Sequence, residues 1–242
     1  MSTTLYGFSL RGILFRGRTA GFAVLPLVVA VVVFVVIAIT SVQNRYGVQN
    51  TFTGNLLTGL VVPIVALVLA IGAFGDERDA RTLPLLRAIA RPRWHTVVAR
   101  FAAAWTATVV VSAPAVIACA VLGISVNQPA GRVVGGVLLA TVLTSGAYCA
   151  FFLLLSLLTR RGLLAGLAYL VLWETFLAGL APALRGLSIG SYGRRVAALA
   201  IPGDVPLGTV SSLGATGASL VLAGITVVAV VLSAVRLQRM DV

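Results

Sequence analysis

Lysine is absent from this chain: all 18 basic residues are arginine. A Walker A loop sets a lysine on the β- and γ-phosphates of its nucleotide, so the chain is not expected to be its own P-loop ATPase. Histidine occurs once, as His95 beside Arg93 and Trp94. A metal centre needs several N, O or S ligands together, and a Ser-His-acid triad needs its histidine inside a recognisable motif. Neither pattern surrounds His95, which reads as a boundary residue at the lipid headgroups. No catalytic, cofactor-binding or metal-binding residue is therefore assigned, and the chain is not expected to be an enzyme. Cysteine occurs twice, as Cys119 and Cys149 inside apolar runs. They read as small buried hydrophobes rather than as a disulfide framework. Charged residues make up only 10% of the chain, against roughly 25% in a soluble domain.

What is present is apolar. Hydrophobic residues make up 60% of the chain, and the mean hydropathy is +1.08. A membrane-crossing helix takes ~20 mostly apolar residues to cover ~30 Å. Six segments qualify, at about 21–41, 53–75, 101–123, 133–158, 163–181 and 215–235. The fold expected is a single all-α transmembrane domain over 1–242, with no cleavable signal peptide because the first apolar run is too long and lacks a small-residue cleavage pattern. The net charge of +12 would point to nucleic acid in a soluble domain. Here the arginines sit at the ends of apolar runs, so topology explains them better and no nucleic acid is expected. With an even number of spans, thirteen arginines fall on the side of the two termini and five on the other. The excess of basic residues in cytoplasmic loops then puts both termini in the cytoplasm.

The connecting segments differ in character. Leu5 to Arg18 mixes apolar residues with arginines and reads as an interfacial helix or as a plain basic flank. Between the fifth and sixth spans, Ile189, Tyr192, Val196 and Leu199 recur at helical spacing, with Arg194 turned away from them. That stripe reads as an external amphipathic helix on or partly within the outer leaflet, stopped by Pro202 and Pro206, or else as a plain loop. Between the second and third spans lies the most charged stretch, Asp76 to Trp94. The second span is expected to leave the membrane through its acidic cluster. Pro84 suits the first turn of a new helix, Thr82 its N-cap, and Pro92 its end near Ala90. Leu85, Leu86 and Ile89 would share one face, with Arg87 and Arg91 elsewhere, as a contact for a cytoplasmic partner or for the headgroups.

Glu174 is the one charge inside a span. An acid at that depth costs ~2.5–3.5 kcal/mol on insertion scales, and no ion-pair partner for it is evident in the chain. It reads either as a pathway or gating residue or as a helix–helix hydrogen bond. Gly162 and Gly166 add a GxxxG spacing, common in packed membrane helices.

At these residues the chain resembles a permease subunit of the type-2 ATP-binding-cassette exporter superfamily. The stretch from Glu77 and Arg78 through Thr82, Leu83, Leu85, Leu86 and Arg87 to Arg91, Pro92, Arg93 and Arg100 resembles the family's acid, Thr-Leu, leucine-pair and Pro-Arg order. Arg81 stands where many members carry glycine. Tyr169, Trp173, Glu174 and Leu180 resemble the family's fifth span, and Leu187, Ser188, Ile189 and Tyr192 its external element. The likeness covers essentially the whole chain. It implies a multi-pass subunit of the bacterial cell membrane, paired with a second permease subunit. The pair would be driven by separate ATPase subunits that hold the ATP and Mg. The segment from about 76 to 93 would contain the coupling helix, with Glu77, Arg78, Thr82, Leu83, Leu85, Leu86 and Arg87 at the ATPase contact. Two other readings remain: an ion-coupled secondary transporter or channel using Glu174, and a membrane-embedded enzyme or scaffold.

Overall fold

The computed structural model describes residues 59–79, 93–122, 130–159, 161–177, 186–198 and 213–239, with scattered positions between 24 and 39. Every regular element among them is helical, and no strand occurs among the described residues. Apolar side chains in lipid leave the backbone to satisfy its own N–H and C=O groups, and a helix does so within one segment.

In chain order the helices are α1 (Val62–Asp79), α2 (Arg93–Leu122), α3 (Ala130–Leu158), α4 (Gly162–Ala168), which continues as a π-helical segment (Tyr169–Leu177), α5 (Ile189–Ala198) and α6 (Ala215–Arg239). Three of these contain stretches long and apolar enough to cross a membrane: Trp94–Val121, Gly131–Leu158 and Ala215–Arg239. They are the third, fourth and sixth expected spans. Two shorter apolar helices, Gly59–Ala73 and Gly162–Glu174, fall in the second and fifth. The described positions of the first run, such as Val28 to Val32, are helical, and Val29 belongs to a buried cluster with Val65 and Leu69 of α1 and Ala103 and Ala107 of α2. The interfacial reading of 5–18 lies outside the described residues.

Helix α3 is the hub. It packs against α1, α2, α4, α5 and α6, and every residue from Thr144 to Ala150 is buried. Tyr148, Phe152 and Leu153 are its largest fully buried side chains. Polar threads cross to α2: Trp105 Nε1 donates to the Val142 carbonyl at 3.0 Å, and Thr108 Oγ1 lies 3.3 Å from Cys149 Sγ. At the adjoining ends of α3 and α4, the Thr159 N–H donates to the Leu155 carbonyl and the Ala165 N–H to the Arg161 carbonyl, both at 3.0 Å.

Gly162 and Gly166 are spent inside the chain. A Cβ on Gly166 would come within 2.1 Å of Leu67 Cδ1 on α1 and 3.3 Å of Phe152 on α3. A Cβ on Gly162 would sit 3.2 Å from the Ser156 backbone. The GxxxG spacing thus seats α4 against its own neighbours, the close approach that small residues permit between membrane helices.

Candidate functional site

The second apolar run continues as helix past its end. α1 continues through Asp76, Glu77 and Arg78 to Asp79, so the acidic cluster forms its last turn. Of the residues assigned to the ATPase contact, Glu77 and Arg78 therefore stand on a helical backbone, while Thr82, Leu83, Leu85, Leu86 and Arg87 lie outside the described residues. On the far side of that segment α2 begins at Arg93, eight positions earlier than the apolar pattern alone indicated. The Arg100 guanidinium donates to the Ala73 carbonyl, which ties the adjoining ends of α1 and α2 together. His95 stacks on Trp94 in the first turn of α2, with ring centroids 3.7 Å apart. Among the described residues no three His, Cys, Asp or Glu side chains converge.

The polar centre of the chain forms around Glu174. Its Oε1 accepts from Tyr169 Oη at 3.1 Å and from the Gly190 N–H at 3.2 Å. Its Oε2 accepts from Ser188 Oγ. Ser188 in turn is the N-cap of α5, its Oγ accepting from the Ser191 N–H at 3.1 Å. Ser191 Oγ donates back to the Ser188 carbonyl at 2.8 Å. The first turn of any helix exposes N–H groups without internal partners. Here Ser188 takes one and Glu174 another, and the carboxylate also sits at the positive end of the helix dipole. The carbonyls just upstream are satisfied from the same neighbourhood: Tyr192 Oη donates to Gly186 at 2.6 Å, and Trp173 Nε1 to Leu187 at 3.3 Å. The backbone accounting of the turn into α5 is thus carried by side chains.

The π segment is what makes this possible. A π-helix closes its hydrogen bonds at i+5, one residue beyond the α-helical turn, and so stacks residue i near residue i+5. Tyr169 and Glu174 are that pair. On an α-helix neighbours lie at i+3 and i+4, and the tyrosine would be turned off the carboxylate.

α5 exists where its stripe predicted, and Ile189, Tyr192 and Val196 are buried; Leu199 lies outside the described residues. The helix is more enclosed than a one-sided stripe implies. Gly190, Ser191, Gly193, Arg194 and Ala197 are buried too, so the helix has no broad face turned to the outside. Its glycines let it sink: a Cβ on Gly193 would fall 2.3 Å from Thr144 Oγ1 and 3.2 Å from Thr144 Cβ. Thr144 is the central residue of the 29-residue α3, about 21 Å along the axis from either end at 1.5 Å per residue. α5 is thus seated against the middle of α3 and enclosed by its neighbours.

Arg194 lies off that stripe on the helix, and it too is enclosed, only 7% exposed. A Cβ on Gly190 would lie 3.5 Å from Arg194 Nη1 and 2.9 Å from Glu174 Oε2, so the chain supplies a cation next to its intramembrane acid. Tyr148 Oη comes 3.1 Å from the same point. Sequence reasoning missed Tyr148, Thr144 and Gly190 as members of this cluster. No spacing rule links them to Glu174, because they arrive from a different helix. Ser188 was legible, since a serine directly before a helical apolar stripe is an N-cap signal. No protein-family model matches the chain, and no curated protein matches it.

Proposed function

We propose that this chain is the membrane-spanning permease subunit of an ATP-driven exporter, working with a second permease subunit in a bacterial cell membrane. Separate ATPase subunits supply ATP and Mg, and the coupling runs through the segment from about 76 to 93. The observation that carries the reading is the unbroken passage of α1 from its apolar run through Glu77 and Arg78 to Asp79, braced where Arg100 of α2 grips the Ala73 carbonyl. Work done on a cytoplasmic partner reaches the membrane only through stiff elements. Two helices pinned at adjoining ends, bracketing a charged connection, are such an element. The lack of lysine agrees with phosphate chemistry delegated to another chain.

Copurification with an ABC ATPase subunit tests it. Leu86→Asp and Glu77→Ala are expected to abolish or sharply weaken assembly and transport-coupled ATP hydrolysis while the permease still inserts. Normal assembly and coupling in both variants would remove the coupling assignment.

The ion-coupled reading ranks second, because the one intramembrane acid already holds Ser188, Gly190 and Tyr169. Proton-driven transport in liposomes without any ATPase would promote it. Glu174→Gln, which keeps an acceptor oxygen for α5, is expected to fold and to alter transport or basal ATPase coupling. Unchanged transport in both Glu174→Gln and Glu174→Ala would leave Glu174 with no part in the cycle.

A further inference from the structure

Two arginines follow one another on α5 and meet different surroundings. Arg195 Nε donates to the Leu213 carbonyl at 3.0 Å, in an exposed contact. Arg194 is 7% exposed, and Glu174 is 8% exposed. Side chains on an α-helix lean toward its N-terminus, and positions i and i+4 share a face. Arg194 therefore extends back over the turn that holds Gly190, the residue whose N–H donates to Glu174 Oε1 at 3.2 Å. Gly190 has no side chain to keep the two groups apart. A Cβ on it would lie 2.9 Å from Glu174 Oε2 and 3.5 Å from Arg194 Nη1. The other acids among the described residues, Asp76, Glu77 and Asp79, stand in the last turn of α1. A charge taken out of water is costly unless an opposite charge is at hand.

We propose that Arg194 is the counter-charge of Glu174, and that the two form a buried neutral clasp fixing α5 to the fifth span. Arg194 is a positioning residue that acts through Glu174. The hydrogen bonds from Tyr169, Ser188 and Gly190 orient the carboxylate, and the guanidinium balances it. The clasp explains two features together: an acid that the linear sequence leaves without an ion-pair partner, and an enclosed arginine on a helix otherwise buried through glycine, serine and apolar side chains. Charges buried as a pair depend on each other. Removing one strands the other, whereas removing both removes the demand. The clasp acts within this chain, so it stands or falls separately from the ATPase coupling.

The test uses the full chain in lipid nanodiscs and follows hydrogen–deuterium exchange of the peptide spanning α5 by mass spectrometry. Wild type is compared with Glu174→Gln, Arg194→Gln, the two combined, and Arg194→Lys. Glutamine at position 174 keeps an acceptor oxygen for the donors of the cap, so that variant changes the charge above all. Each single glutamine variant is expected to speed exchange in α5 by about tenfold or more. The double variant is expected to return to within about threefold of wild type, and Arg194→Lys, which keeps the cation, to stay in the same range. Three results overturn the proposal. One is a double variant whose losses add, which makes the two residues independent, as when Arg194 answers to Asp204 instead. Another is wild-type protection of α5 in either single glutamine variant. The third is exchange in Arg194→Lys as fast as in Arg194→Gln, which assigns the hold to the guanidinium fork and not to its charge. Where a single variant does not insert, the amount of inserted protein takes the place of exchange: the double variant is expected to restore it, and failure to do so overturns the pairing.

Discussion

Helices α3 and α6 are both long and apolar enough to cross a membrane, yet 67% of the most apolar window of α3 is buried inside the chain and only 22% of that of α6. Both satisfy lipid equally well. Between helices in a bilayer there is no hydrophobic driving force, because the lipid tails are as apolar as leucine, and association comes from close packing and interhelical hydrogen bonds. α3 has the means for both. Gly146 admits Trp105, whose Nε1 would lie 3.3 Å from a Cβ there; Thr144 meets the glycine face of α5, and Tyr148 and Phe152 fill the middle. α6 turns Leu220, Val227, Val228, Val231 and Leu232 outward and keeps an inner stripe of Ala215, Ala218, Leu222, Ala229, Ser233 and Leu237. One apolar helix is a core and the other is a wall.

That contrast can be broken by substitution, with thermal unfolding in detergent as the readout. The largest difference is expected between Phe152→Ala and Leu220→Ala. Phe152 is fully buried on α3 and Leu220 is 68% exposed on α6. The first is expected to cost ~3–5 kcal/mol and the second under about 0.5 kcal/mol. Equal losses would mean that α6 is covered as fully as α3 in the assembled protein. The next contrast is between glycines. Gly193→Ala drives a methyl into Thr144 and is expected to cost ~1–3 kcal/mol by overpacking. Gly224→Ala on α6 meets nothing within 4 Å and is expected to be neutral or to stabilise by roughly 0.5–1 kcal/mol through helix propensity. A tolerated Gly193→Ala would show that α5 is not seated on α3. The smallest effect is expected from Thr108→Val, which removes the buried hydroxyl facing Cys149. Interhelical polar contacts in membranes average ~0.6 kcal/mol, so a loss above ~2 kcal/mol would reveal a larger network there.

Much of the helical layout was legible. The apolar runs marked α3 and α6 to within a few residues at their starts, because hydropathy reports directly on what a bilayer accepts. The Ile189, Tyr192, Val196 stripe marked α5, because helical periodicity needs no tertiary information. Its burial was not legible. A one-sided stripe reads as a surface helix, and only the glycine contacts with Thr144 and Tyr148 show a helix enclosed by others. The Tyr169–Glu174 pair was hidden for another reason. The five-residue offset is a neighbour relation only in π geometry, whereas periodicity arguments assume the α-helical turn.

The amino-acid order alone settled that this chain is helical and apolar, with its charge confined to the ends of its runs and to one acid within them. Free energies of transfer act residue by residue, and such local terms can be read along a line. Which helix became the hub, where α5 came to rest, and that Glu174 caps a helix beside Arg194 were decided only by the tertiary structure. Those outcomes depend on which small residues meet across a seam, and such a meeting is a property of two segments at once.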